Sequence, residues 1–265
     1  SGPWPRLAIP TVAGLMLAAF LLCAQGCGDD RPLAPWHTEA FTEEFTADRA
    51  GREVRTLQDY LELEDRLFRQ MDERVVKQTP VGPEYALVRF SRGSAADPSR
   101  WPRNWNRTFE LEVDAPRGGV LLLHGMSDSP YSLRALGEAL NRAGYLVLGL
   151  RLPGHGTAPS GLTSVTWQDM AAAVRVAMTH LADALGDRPL HIIGYSTGGS
   201  LALDFALDAV AGGDGAVPTS LVLVSPAIRV HPSSALARFK DALSVLPGLG
   251  DLAYLAVMPE FDPFN

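Results

Sequence analysis

The 265-residue chain is 46% apolar and 20% charged, with a formal net charge of −7. That is the balance of a globular protein, not a disordered one, and an acidic chain offers no electrostatic footprint for nucleic acid, so no nucleic-acid partner is expected. Its two cysteines and six histidines are scattered, without C-x-x-C or Walker spacing, so neither a metal site nor a cofactor is expected.

Taken in chain order, Arg6 precedes the apolar run TVAGLMLAAFLLCA at 11–24. The run falls short of the roughly 20 residues of a spanning helix, and a single positive charge, an apolar core and a small-residue exit predict a signal peptide over 1–26. The exit Ala24-Gln25-Gly26-Cys27 resembles the lipobox of bacterial lipoproteins. That resemblance implies lipidation of Cys27 and a protein anchored by lipid to a membrane of the bacterial envelope. Plain secretion and an uncleaved anchor are the alternatives. Residues 27–50, polar and carrying early prolines, read as a tether.

Over 51–83 the pattern becomes helical. Val54, Leu57, Tyr60, Leu61, Leu63, Leu67 and Met71 recur at three- and four-residue steps, predicting a helix on the domain edge. Strands are predicted at 84–90 (EYALVRF) and 108–113 (TFELEV). The loop between them holds Trp101 and Trp105, expected to cover a core edge. Its sequon at Asn106 is discounted at a bacterial address. Strand and helix then alternate: GVLLL at 119–123, a helix over 132–143, YLVLGL at 145–150, a helix over 167–185, LHIIG at 190–194, a helix over 197–211 and SLVLV at 220–224. Near-continuous apolar strands separated by helices predict an α/β fold, a mostly parallel sheet covered on both faces, with 84–226 as its core.

The motif Gly194-Tyr195-Ser196-Thr197-Gly198 stands where a strand meets a helix. Its glycines, two residues either side of Ser196, permit the sharp turn that lifts a nucleophile above a sheet. The helix behind Ser196 aims free N–H groups at the site. A partner loop should follow an earlier strand, and His124-Gly125-Met126 follows GVLLL directly. Gly125 allows close backbone approach, so the backbone N–H groups of Met126 and Thr197 are assigned as oxyanion donors. His124 is expected to brace its loop, and His155 in Pro153-Gly154-His155-Gly156 to shape a wall, rather than act as a base.

Together HGMSDSPYSLRALGEAL, RLPGHG, the Trp167-Gln168-Asp169-Met170 helix start and GYSTGG resemble the α/β-hydrolases of the monoacylglycerol lipase, lysophospholipase and serine aminopeptidase-like group. The resemblance implies ester hydrolysis of small apolar acyl substrates through an acyl-enzyme on Ser196, with a triad in the order Ser, Asp, His. Residues 227–265 depart from it. Rich in Leu, Ala and Pro, with a predicted helix over 233–245, they read as the start of a lid, and Asp241, Asp251, Asp262 and His231 receive no role. The triad Asp and His are therefore expected beyond residue 265, and the 265-residue chain by itself is expected to be inactive. Alternatives are a peptidase or carbon–carbon hydrolase with the same triad, or a non-catalytic envelope binding protein.

Overall fold

The computed structural model describes residues 33–228. The predicted leader, Cys27 and the predicted lid helix lie outside the described residues.

In chain order the elements are α1 (Pro35–Thr38), α2 (Leu57–Arg74), β1 (Phe109–Leu111), β2 (Gly119–Leu123), α3 (Arg134–Arg142), β3 (Leu146–Leu150), α4 (Trp167–Leu185), β4 (Leu190–Tyr195), α5 (Thr197–Val210) and β5 (Ser220–Val224). The strands form one sheet in the order β1-β3-β2-β4-β5. Only β1 runs antiparallel to its neighbour; β2, β3, β4 and β5 are parallel. No helix among the described residues is long and apolar enough to cross a membrane.

Local chemistry sets the helix starts. Thr56 accepts the Asp59 N–H while the Asp59 carboxylate accepts the Thr56 N–H, and Thr166 and Asp169 repeat this reciprocal box at the start of α4. The fully buried strands β2 and β3 are covered on both faces. On one face Leu121, Leu123, Leu148 and Ile192 pack under α4 and α5, through Val174, Ala177, Leu181, Leu201 and Phe205. On the other, Val120, Leu122 and Val147 pack with Phe109 and with Leu133 and Leu140 around α3.

This layering fixes where a site can form. The neighbouring strands β2 and β4 send their following helices to opposite faces, and the crevice outside the carboxyl ends of such a pair is where open α/β sheets bind ligands.

Three expectations are corrected. Residues 84–90 form no strand: a 3-10 turn at Pro83–Tyr85 leads into further turns. The run is anchored by Phe90, buried and stacked on Trp36 at 5.5 Å, with Val88 packed in the same cluster and Arg89 buried beside it. The helix around 52–76 is no edge feature: Leu57, Tyr60 and Leu63 are buried in the main core. Residues 34–50 are not a loose tether, because Phe41, Glu44 and Phe45 are buried against the body. Of the loop tryptophans, Trp105 covers the core edge, standing on Phe109 at 5.0 Å, while Trp101 is exposed.

Candidate active site

The turn after β4 is strained where a nucleophile would stand. Ser196 has φ 51° and ψ −115°, a region that costs a residue bearing a Cβ about 1–3 kcal/mol. Three of the four non-glycine residues at positive φ are Ser127, Ser196 and Ser225, at or just beyond the carboxyl ends of β2, β4 and β5. Strain of this kind persists where the surroundings over-determine it. Here the Ser196 N–H donates to Val224 O at 2.9 Å, and Ser196 O accepts from Gly199 and Ala227 at 3.0 and 3.1 Å.

The motif glycines are required by contact. A Cβ on Gly194 would sit 2.4 Å from Gly198 O, and one on Gly198 would sit 2.2 Å from Leu123 O. The bare backbone at 198 therefore lets α5 start against the end of β2. Gly125 does the same for the other loop: a Cβ there would lie 3.0 Å from the Tyr195 ring and 3.4 Å from Ser196 Cβ. The loop after β2 thus lies directly beside the elbow. Among the described residues the N–H groups of Met126 and Thr197 donate to no other group, and both residues line one pocket.

His124 is fully buried and both ring nitrogens are engaged. Nδ1–H donates to Gly125 O at 2.8 Å, and Nε2 accepts the Leu152 N–H at 3.1 Å. Burial, then the neighbouring His155, hold its pKa well below the usual histidine value, which keeps the ring neutral. His155 is buried too, its Nδ1–H given to Pro153 O at 2.8 Å and its pKa lowered chiefly by burial. Both ring nitrogens of His124 are therefore taken, whereas His155 Nε2 is buried without a hydrogen-bond partner; among the described residues the Ser196 hydroxyl has no hydrogen-bond partner. No group of three or more His, Cys, Asp or Glu suited to a metal occurs among the described residues.

The pocket beside the elbow, about 400 Å³, is walled by Met126, Leu162, Val165, Trp167, Met170 and Leu201, with Thr197, Ser200 and Asp204 as its polar members. Its apolar walls suit an acyl chain. Asn106 is buried and accepts the Ser129 hydroxyl at 2.7 Å, so the sequon is closed to modification in the folded protein.

The sequence reading missed a buried ion cluster under the 152–156 loop. Arg151 makes two hydrogen bonds to Glu44, at 2.9 and 3.1 Å, and one to Glu64 at 3.0 Å. Burial works against its charge, but Glu44 and its other neighbours hold the guanidinium pKa above its ordinary value. The one available signal was an arginine directly after the apolar YLVLGL run.

A parallel sheet with an antiparallel edge strand, a strained Ser turn between glycines at its switch point and a facing loop of free N–H groups define the α/β-hydrolase class. The model of the family described as serine aminopeptidase, S33, matches residues 114–253, and the chain belongs to that family. It is 33% identical over 141 residues to a thermostable monoacylglycerol lipase of Bacillus sp. (strain H-257), covering 51% of this chain and 55% of the relative. It is 32% identical over 157 residues to a putative carbamate hydrolase RutD of Variovorax paradoxus (strain S110), covering 58% and 55%. Among solved structures, one reported with the metagenome-derived lipolytic enzymes LipS and LipT superposes with a TM-score of 0.44 at 30% identity, over 54% of this chain and 53% of that one. The chain spans about half the length of the curated relatives it matches.

Proposed function

We propose a serine ester hydrolase acting on small apolar acyl esters of the monoacylglycerol or lysophospholipid kind. The observation that carries this reading is the strained Ser196, set beside the Gly125–Met126 peptide and next to an apolar pocket. The similarity to a monoacylglycerol lipase supports the same substrate class.

In this reading the Ser196 hydroxyl attacks the ester carbonyl. Its proton passes to a histidine oriented by an aspartate, in the triad order that the resemblance implies. The carbonyl oxygen, now carrying charge, accepts from the Met126 and Thr197 N–H groups, aided by the positive end of α5. The alcohol leaves, and water then releases the acid from the acyl-enzyme. The leader and Cys27 would hold the protein by lipid to a membrane of the bacterial envelope, on its periplasmic or extracellular side.

The test is to treat the full gene product with a fluorophosphonate and map the adduct by mass spectrometry. The adduct is expected on Ser196, with p-nitrophenyl esters of medium acyl chains turned over and aminoacyl-anilides left intact. A single feature favours an aminoacyl substrate: Asp204, a carboxylate on the pocket wall that would attract an ammonium group. If anilides are the better substrates and Asp204→Ala abolishes that preference, the peptidase reading replaces the ester one.

A further inference from the structure

The buried cluster around Arg151 leads, bond by bond, to the oxyanion loop. Glu44 grips the Arg151 guanidinium with both carboxylate oxygens and also accepts the Gly154 N–H at 2.9 Å. Glu64 accepts from Arg151 Nε and is itself held by the Thr108 N–H and hydroxyl at 3.0 and 2.8 Å. Arg151 in turn donates to His155 O at 3.1 Å, and its own carbonyl accepts the Tyr60 hydroxyl at 2.7 Å. The backbone over 151–155 is therefore clamped by acids from the N-terminal segment.

From that clamped loop the Leu152 N–H donates to His124 Nε2, and His124 Nδ1–H donates to Gly125 O. Gly125 O and the Met126 N–H belong to one planar peptide unit. A hydrogen bond that fixes the oxygen therefore also fixes the direction of the N–H on the far side. It polarises the unit as well, making that N–H the stronger donor.

We propose that Glu44 is a positioning residue for the Gly125–Met126 peptide, acting through Arg151, Leu152 and His124. The proposal rests on the reading of Ser196 as nucleophile and the Met126 N–H as oxyanion donor. Glu44 lies outside the family match of 114–253, so the N-terminal segment is part of the catalytic apparatus and not an appendage to it. Burial supports this: the Arg151 and Glu44 side chains are 1% and 3% exposed, so water does not compete for their hydrogen bonds.

The experiment uses the full gene product and expresses turnover per Ser196 site titrated with a fluorophosphonate. Glu44→Gln is expected to lower kcat per titrated site by about 10- to 100-fold with KM changed less than about threefold, since complete loss of one oxyanion donor costs about 10²–10³-fold. Phe41→Ala loosens the same segment within its own apolar cluster without touching the relay. It is expected to lower the melting temperature and leave per-site kcat intact. Unchanged per-site kcat in Glu44→Gln overturns the proposal, as does an equal loss in Phe41→Ala, which would make packing the cause. Should Glu44→Gln fail to fold, Glu64→Gln, which weakens one of the three acid–arginine bonds, is read in its place. A smaller loss of per-site kcat supports the relay and no loss overturns it. Absence of any adduct on Ser196 in the unsubstituted protein overturns the underlying reading and the inference with it, and is told apart because it needs no variant.

Discussion

Gly198→Ala tests the elbow through a single methyl group. The added carbon would land 2.2 Å from Leu123 O and 2.5 Å from His124 O. Both atoms are backbone, so neither can rotate away. Ordinary contact begins near 3.4 Å, so the first turn of α5 must retreat from the end of β2 by about 1 Å. Overpacking of this kind costs about 1–3 kcal/mol, and the absence of a side chain that could yield puts this case at about 3 kcal/mol. For a domain of this size that lowers the melting temperature by about 6–12 °C. The retreat also carries Ser196 and the Thr197 N–H away from Met126, and a misplacement of 1 Å can cost about 100-fold in rate. Scanning calorimetry and the rate of fluorophosphonate labelling at Ser196 read the two effects separately. A variant with the parent melting temperature and labelling rate would refute the claim that close backbone contact at Gly198 builds the site.

Replacing Ser196 with glycine should abolish labelling yet raise stability by about 1 kcal/mol, because the positive φ no longer strains a Cβ; chemical denaturation checks it, and a destabilised variant counts against the strain. The buried histidines predict acid sensitivity. His124 and His155 have folded pKa values lowered by burial, so the unfolded chain binds their protons first and stability falls as pH drops below about 6.5. The loss grows as pH falls from 7.5 to 5.5, with His124, the more strongly shifted, contributing more than His155. His180 runs the other way. Its hydrogen bond to Glu110 at 2.8 Å raises its pKa, so its contribution is present below about pH 6.5 and fades as pH rises through the raised value. The pair is partly exposed, which limits it to about 0.5 kcal/mol. His180→Gln should therefore destabilise at pH 5.5 and be neutral at pH 8.5 in urea titrations, and an equal effect at both would sink the assignment.

The strands GVLLL and SLVLV were legible because unbroken apolar runs mark them without reference to anything distant. The elbow was legible for the same reason: Gly194, Ser196 and Gly198 are constrained by contacts within one turn or with the strand alongside. The run at 84–90 misled because strand-like composition reflects packing context more than an intrinsic backbone preference, and Pro83 starts a 3-10 turn there instead. Glu44 was unreadable. It sits in a polar stretch that suits a tether, and its partner Arg151 is 107 residues away.

That contrast bears on what the motif can do by itself. GYSTGG encodes the direction of Ser196 and the start of α5, and nothing in it determines where the Gly125 carbonyl points. That carbonyl is set by His124, whose ring is set by Leu152, whose loop is moored by two acids from residues 44 and 64. A core that began at residue 114 would lose Glu44, Glu64 and Tyr60 from around Arg151, and with them Phe45, Leu57 and Leu63 of the main core and Phe109 of β1. Water would then reach the guanidinium and compete for the bonds that hold the backbone over 151–155. Loop geometry and core packing therefore depend on the same N-terminal segment.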